Sequence, residues 1–199
     1  MTAETVQQKK ARLRTDVQLR IAAIPADQQA ALAIELCDRL RSSAPWHRST
    51  SVLMFVPLSD EPNIRPLLEL GLGEGKSISI PGYIAADSGY GAFQIQNPNQ
   101  DLVRGRFNVP EPRTGCPAVV LNQLDLILVP GVAFDLTGRR LGRGKGFYDR
   151  LLSQVHGVCC GVLFEEQLVP QIPVEPHDVR LNCLVTPKRW HDVPAGARS

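Results

Sequence analysis

Apolar residues recur along the first part of the chain with the period of a helix. From Glu4 to about Ile24, positions Val6, Leu13, Val17, Ile21 and Ile24 are separated by three, four or seven residues, which predicts an amphipathic helix. Pro25 ends it. A second helix is predicted from Asp27 to about Arg41, with Ala30, Ala33, Ile34, Cys37 and Leu40 along one face, and Ser42 to Pro45 form a breaker cluster after it. The pattern then changes to short apolar runs between turn signals: Ser51 to Val56, Ser77 to Ile80, Ala92 to Ile95, Asp125 to Val129, Val158 to Phe164 and Leu181 to Val185. Several are almost continuous in Val, Ile and Leu, as strands covered on both faces require. Helical stretches at Asn63 to Leu70 and Tyr148 to Val155 fall between them. The expected fold is therefore α/β, with helices on both sides of one sheet. Two segments of weak periodicity, Gly82 to Gly91 and Asn97 to Pro117, read as long loops of the kind that line sites.

Composition narrows the class. A chain of 199 residues with 43% hydrophobic content suits one globular domain spanning 1–199. No apolar run reaches the ~18 residues of a membrane span, and the stretch Met1 to Lys10 is polar where a secretory signal would turn apolar. The expectation is a cytoplasmic protein with no membrane partner. The five cysteines form no C-x-x-C pair and sit mostly in apolar segments, so they read as small buried hydrophobes. The four histidines are scattered without zinc spacing.

The net charge of +2 leaves no broad basic footprint for nucleic acid, but its distribution is uneven. Arg139, Arg140, Arg143, Lys145 and Arg150 crowd one segment, with Asp149 as its single anion. Within it Leu141-Gly142-Arg143-Gly144-Lys145-Gly146-Phe147-Tyr148-Asp149 follows an apolar strand and leads into a helical pattern. Alternating glycines admit positive φ and bring N–H groups close to an anion, the following helix N-terminus adds partial positive charge, and Arg143 and Lys145 add full charges. The known phosphate patterns do not fit. A Walker A loop needs Gly at 139 and Ser or Thr after Lys145, where this chain has Arg139 and Gly146; the dinucleotide pattern fails at Phe147. From the residues alone, a phosphate cradle and a flexible basic turn both stand.

The whole stretch from Pro130 to Asp149 resembles the P-G-x-x-F-D, G-x-R-L-G-x-G-x-G-[YF]-Y-D signature of the 5-formyltetrahydrofolate cyclo-ligase (5,10-methenyltetrahydrofolate synthetase) family. Further landmarks follow that family's order: Lys10 and Arg14 as K-x-x-x-R, Glu61 after the first strand, Phe107-Asn108-Val109-Pro110, and Pro173 to Asp178 as P-x-x-x-x-D. The resemblance implies a three-layer, Rossmann-like sandwich with a mostly parallel sheet and N-terminal helices. It implies conversion of 5-formyltetrahydrofolate and ATP, with Mg²⁺, to 5,10-methenyltetrahydrofolate, ADP and phosphate. Carried over residue by residue, ATP falls to Lys10, Arg14 and Arg140 through Tyr148 (Arg140, Leu141, Gly142, Arg143, Gly144, Lys145, Gly146, Phe147, Tyr148), with Arg143 and Lys145 catalytic. The folate falls to Val56, Glu61, Phe107 and Tyr148, and the metal to Asp149 and Asp178. The enzyme is expected to be a monomer acting on a free or polyglutamylated folate, with no nucleic-acid partner. Two departures stand out, Pro62 after Glu61 and Gly82 after Pro81, where many family members carry a β-branched residue and a cation. They keep a catalytically silent nucleotide- or folate-binding homologue as the alternative. A sugar-phosphate isomerase-type enzyme, gripping a monophosphate without ATP, is the other.

Overall fold

A computed structural model describes residues 4–84, 89–105, 109–175 and 178–194. Helix α1 (Val6–Ala22) begins at Thr5, whose Oγ1 accepts a hydrogen bond from the Gln8 amide while the Gln8 side chain accepts one from the Thr5 amide. This reciprocal capping satisfies two donors that a helix start leaves open. Helix α2 (Ala26–Arg41) follows after Pro25, and α3 (Ala44–Arg48) is an additional turn inside the predicted breaker cluster. Ser43 caps it, and burial of the whole Trp46 side chain offsets the entropy of ordering so short a helix. The predicted apolar face of α2 is rotated slightly. Ala33, Leu36, Cys37 and Leu40 are buried, whereas Ile34 is exposed.

The remaining elements are β1 (Ser51–Leu53), α4 (Arg65–Gly73), β2 (Ser77–Ile84), β3 (Gly89–Ile95), α5 (Pro98–Asp101), β4 (Leu102–Arg104), β5 (Pro110–Pro112), β6 (Ala118–Val119), β7 (Leu126–Val129), β8 (Ala133–Phe134), β9 (Arg140–Leu141), α6 (Phe147–Leu152), β10 (Val158–Val162), β11 (Cys183–Val185) and β12 (Trp190–Asp192). One sheet runs β12-β11-β10-β7-β1-β2-β3-β6. From β11 to β2 neighbouring strands are parallel, and β12, β3 and β6 add antiparallel edges. The mostly parallel sheet expected from the continuous apolar runs is present.

Alternation along those strands builds the three layers. Val52, Leu126, Leu128, Cys160, Cys183 and Val185 pack on one face with α2, α3 and α4, through Leu36, Trp46 and Leu67. Leu53, Ile127, Val129, Cys159 and Leu184 pack on the other with Leu151 and Leu152 of α6. All five cysteines are buried as thiols, as their apolar settings suggest. Helix α1 does not lie on the sheet. Its Val17 and Ile21 cluster with Val132, Ala133, Leu141 and Phe164, which ties it to the β8–β9 hairpin.

The two weakly periodic segments are not plain loops. β2 and β3 form a long antiparallel hairpin in which Gly82 pairs with Gly91 and Tyr83 with Tyr90. The glycines hid the strand pattern because neighbouring side chains use their space: a Cβ on Gly82 would lie 2.8 Å from the Phe93 ring, and one on Gly91 2.8 Å from Ile84 Cδ1. In the second segment β4 and β5 pair as a small hairpin over Leu102–Arg104 and Pro110–Pro112. Strand β1 is shorter than its apolar run. After Leu53 the chain leaves the ladder while Met54, Phe55 and Val56 stay buried. The chain passes from β1 to β2 on one side and later returns to β7 on the other side of β1. Such a reversal opens a crevice at the carboxyl ends of the strands, where open α/β sheets bind ligands.

Candidate active site

That crevice holds a cleft of about 630 Å³. Phe55, Val56, Leu58 and Glu61 line it from the segment after β1, Pro130 and Gly131 from the end of β7, and Ile80 and Pro81 from β2. The volume suits a ligand of drug size or larger. All the described residues anticipated for the site, from Lys10 to Asp178, line it. Phe107 falls outside the described residues, although its neighbours Val109 and Pro110 are on the wall.

The conformation of the glycine-rich stretch begins upstream. Asp135 is buried and accepts hydrogen bonds from Thr137, from the Arg139 amide and, across 37 positions, from the Ile172 amide at 2.9 Å. The acid of P-G-x-x-F-D is thus the anchor of the β8–β9 turn. This hairpin pairs Phe134 with Arg140 and Ala133 with Leu141, which aims Arg140 into the cleft wall. Beyond β9, Gly144 (φ 89°) and Gly146 (φ 64°) take left-handed backbone, as expected of loop glycines. Gly142 does not. Its need is for space, since a Cβ there would sit 2.9 Å from a terminal nitrogen of Arg140. Helix α6, capped by the Gly146 backbone, spans six residues, so its end charge is small and the cations carry most of the attraction for an anion.

The basic cluster is less naked than the sequence suggests, because distant carboxylates reach it. Arg140 donates to Asp149 Oδ1 at 2.7 Å, and its Nε–H is buried without an acceptor among the described residues. Arg143 spans the cleft to Asp60 Oδ1 at 2.6 Å and Glu61 Oε1 at 3.2 Å. Lys10, buried on α1, donates to Glu175 Oε2 at 2.8 Å and Asp178 Oδ2 at 2.9 Å. Burial works against the Lys10 charge, but these two hydrogen bonds outweigh it and hold the ammonium above its ordinary pKa. Arg14, one turn further along α1, donates through Nε to the Gly142 carbonyl at 2.9 Å and ties that helix to the loop.

Glu61 is the buried acid of the site. Its Oε2 accepts the Leu58 amide at 3.0 Å, which fixes the carboxylate in spite of Pro62. Burial pushes its carboxyl above the usual carboxylate range, even though the Leu58 amide and Arg143 pull the other way. Enclosure also raises the pKa of Tyr148, first through desolvation and then through the charge of Glu61, so the phenol stays protonated and can donate. Apolar surface completes the wall. Phe147 meets Tyr90 of β3 at a centroid distance of 4.5 Å, and Tyr90 meets Tyr83 edge-on at 5.6 Å. Tyr90, Glu175 and Gln7, which contacts Glu175 at 3.0 Å, were not anticipated as site residues. Glu175 lies inside the Pro173-to-Asp178 stretch, where it could have been noticed; Tyr90 was obscured by its flanking glycines.

The 5-formyltetrahydrofolate cyclo-ligase family model matches residues 6–187, most of the chain. The chain belongs to this family. It is 29% identical to the 5-formyltetrahydrofolate cyclo-ligase of Mus musculus, over 98% of this chain and 100% of that one. It is 31% identical to the enzyme of that name from Escherichia coli K12, over 87% and 97%. The NMR structure of Aquifex aeolicus 5,10-methenyltetrahydrofolate synthetase superposes with a TM-score of 0.84 at 31% identity, over 96% of this chain and 95% of its own. Membership makes the chain a ligase and confirms the three-layer fold. It also removes the basis for the isomerase-type reading.

Gly82 has a steric reason here, because a side chain at that position must displace the Phe93 ring. Among the described residues no group of three His, Cys, Asp or Glu can hold an ion by itself. Asp149 and Asp178 both line the cleft as hard oxygen donors. Carboxylates are the donor type Mg²⁺ takes beside phosphate oxygens and water, and here each meets a cation, Arg140 for Asp149 and Lys10 for Asp178.

Proposed function

We propose that this cleft joins ATP and 5-formyltetrahydrofolate and closes the folate to 5,10-methenyltetrahydrofolate, releasing ADP and phosphate. The observation that carries this reading is the convergence on one crevice of the glycine-rich loop, the α1 cations and the fixed Glu61. The silent alternative loses support from the same geometry, since neither Pro62 nor Gly82 disturbs a charged group of the cleft.

The N5-formyl group is an amide and a poor electrophile. Transfer of the γ-phosphoryl group to its oxygen converts that oxygen into a leaving group; N10 then attacks the carbon, and phosphate departs with the former formyl oxygen. Such chemistry needs positioned charge more than a side-chain nucleophile. In this account Arg143 and Lys145 act on the transferring phosphoryl group, with Lys10, Arg14, Arg140 and the N–H groups from Leu141 to Tyr148 holding the rest of the nucleotide. Glu61 accepts the pterin's N–H donors, Val56 and Tyr148 bound the ring, and Phe107 is placed with them by resemblance. Asp149 and Asp178 would hold Mg²⁺, which neutralises phosphate charge. The substrate is taken as free or polyglutamylated and the enzyme as a cytoplasmic monomer. No helix among the described residues is long and apolar enough to cross a membrane.

The test is incubation with 5-formyltetrahydrofolate and Mg-ATP, following the absorbance of the methenyl product beside ADP. Equal amounts of the two are expected, and none of either when the folate is omitted. ATP hydrolysis without methenyl product would overturn the reading.

A further inference from the structure

Arg143 belongs to two neighbourhoods at once. It lies in the glycine-rich loop, yet both of its acceptors, Asp60 Oδ1 at 2.6 Å and Glu61 Oε1 at 3.2 Å, belong to the segment after β1. Glu61 is nearly buried, whereas Asp60 remains accessible to solvent. Both contacts are made by the same nitrogen, Nη2; when that nitrogen turns to a polyphosphate, an ion pair breaks and a buried carboxylate loses its counter-charge. Leaving such a group unpaired is costly. The cost falls when another donor takes over Glu61, and the 2-amino and N3–H groups of a pterin are donors of that kind.

We propose that Arg143 is a latch shared by the two substrate sites: held on Asp60 and Glu61, it passes to the nucleotide phosphates as the folate ring takes over Glu61, so each substrate tightens the other. The proposal rests on the reading of the cleft as an ATP–folate site. Asp60 is the positioning residue of the latch. It does not line the cleft, and its contact sets how firmly Arg143 is retained. Linkage requires the effect to be reciprocal: whatever factor the folate gives ATP, ATP gives the folate.

The experiment is equilibrium binding of the β,γ-methylene analogue of ATP, which cannot transfer its terminal phosphoryl group, with and without saturating 5-formyltetrahydrofolate. In the parent protein the folate tightens the analogue about fivefold or more, within the usual range of coupling between sites. Arg143→Gln binds the analogue more weakly but equally with or without folate. Asp60→Asn binds the analogue alone more tightly than the parent, an outcome that mere structural damage would not produce. The latch is overturned if both ligands bind the parent independently, if coupling survives in Arg143→Gln, or if Asp60→Asn fails to tighten the analogue. Should neither ligand bind the parent, the functional reading itself falls and takes the latch with it.

Discussion

Glu61 shows how one side chain can be costly to the fold and useful to the site. Burial raises the pKa of its carboxyl, so what it adds to stability is present in full below the ordinary carboxylate range and is lost as pH rises through the raised value. At neutral pH the folded chain carries this group against its preference. Glu61→Gln should therefore melt at a higher temperature than the parent at pH 7, with the advantage shrinking as pH falls through the raised value and gone below the ordinary carboxylate range, while the KM for 5-formyltetrahydrofolate rises. Thermal melts across pH together with steady-state kinetics check both halves. Lys145 is expected to matter only for the nucleotide. Removing a charge-assisted phosphate contact costs about 1.5–3 kcal/mol, so Lys145→Ala should weaken ATP about ten- to a hundredfold with the folate KM nearly unchanged. Residue types were the most legible part of the sequence. Their pairing was not, because Lys10 meets Glu175 and Asp178, and Arg143 meets Asp60, through contacts set by the fold and not by spacing.

At the scale of elements, two glycines do different work, one in a loop and one in a strand. Gly144 sits at φ 89°, where a Cβ costs roughly 1–2 kcal/mol, while the space beside it is open apart from Arg14. Gly144→Ala should therefore weaken ATP through a displaced loop and lower the melting temperature only slightly, because the loop lies outside the three core clusters. Gly82→Lys tests the β2–β3 hairpin. If that position simply lacked a folate-binding cation, the substitution would improve the folate KM; the collision with Phe93 predicts a lower melting temperature and no gain. Elements with strong period were read correctly, α2 and β7 nearly to the residue. The distal half of the β2–β3 hairpin, 81–84 and 89–91, and α3 escaped because glycines, serines and a proline stand where tertiary packing overrides local signals. Strand β1 was read too long because Met54 to Val56 are buried in leaving the sheet, and burial looks alike in a strand and in a cleft wall.

Across the whole molecule the site gathers regions distant in sequence, among them α1, the turn after β1, the run from β9 into α6 and the segment before β11, which closes on Lys10. Asp149 and Asp178 have no local reason to act together. If they share one Mg²⁺, either single alanine variant raises the metal concentration needed for turnover, and the double variant loses less than the sum of the two. A Mg²⁺ titration of activity for all three, with melts to exclude unfolding, decides it; unchanged metal dependence in both singles would leave the carboxylates as partners of Arg140 and Lys10 and not of a metal. In the proposed chemistry ATP activates the formyl oxygen in this cleft. A tracer experiment follows that oxygen: 5-formyltetrahydrofolate carries ¹⁸O in the formyl group, and the phosphate released on turnover is analysed by mass. One labelled oxygen in phosphate is expected for each methenyl product formed, and no product without ATP. Methenyl product accompanied by unlabelled phosphate, with the label lost to water, would contradict it.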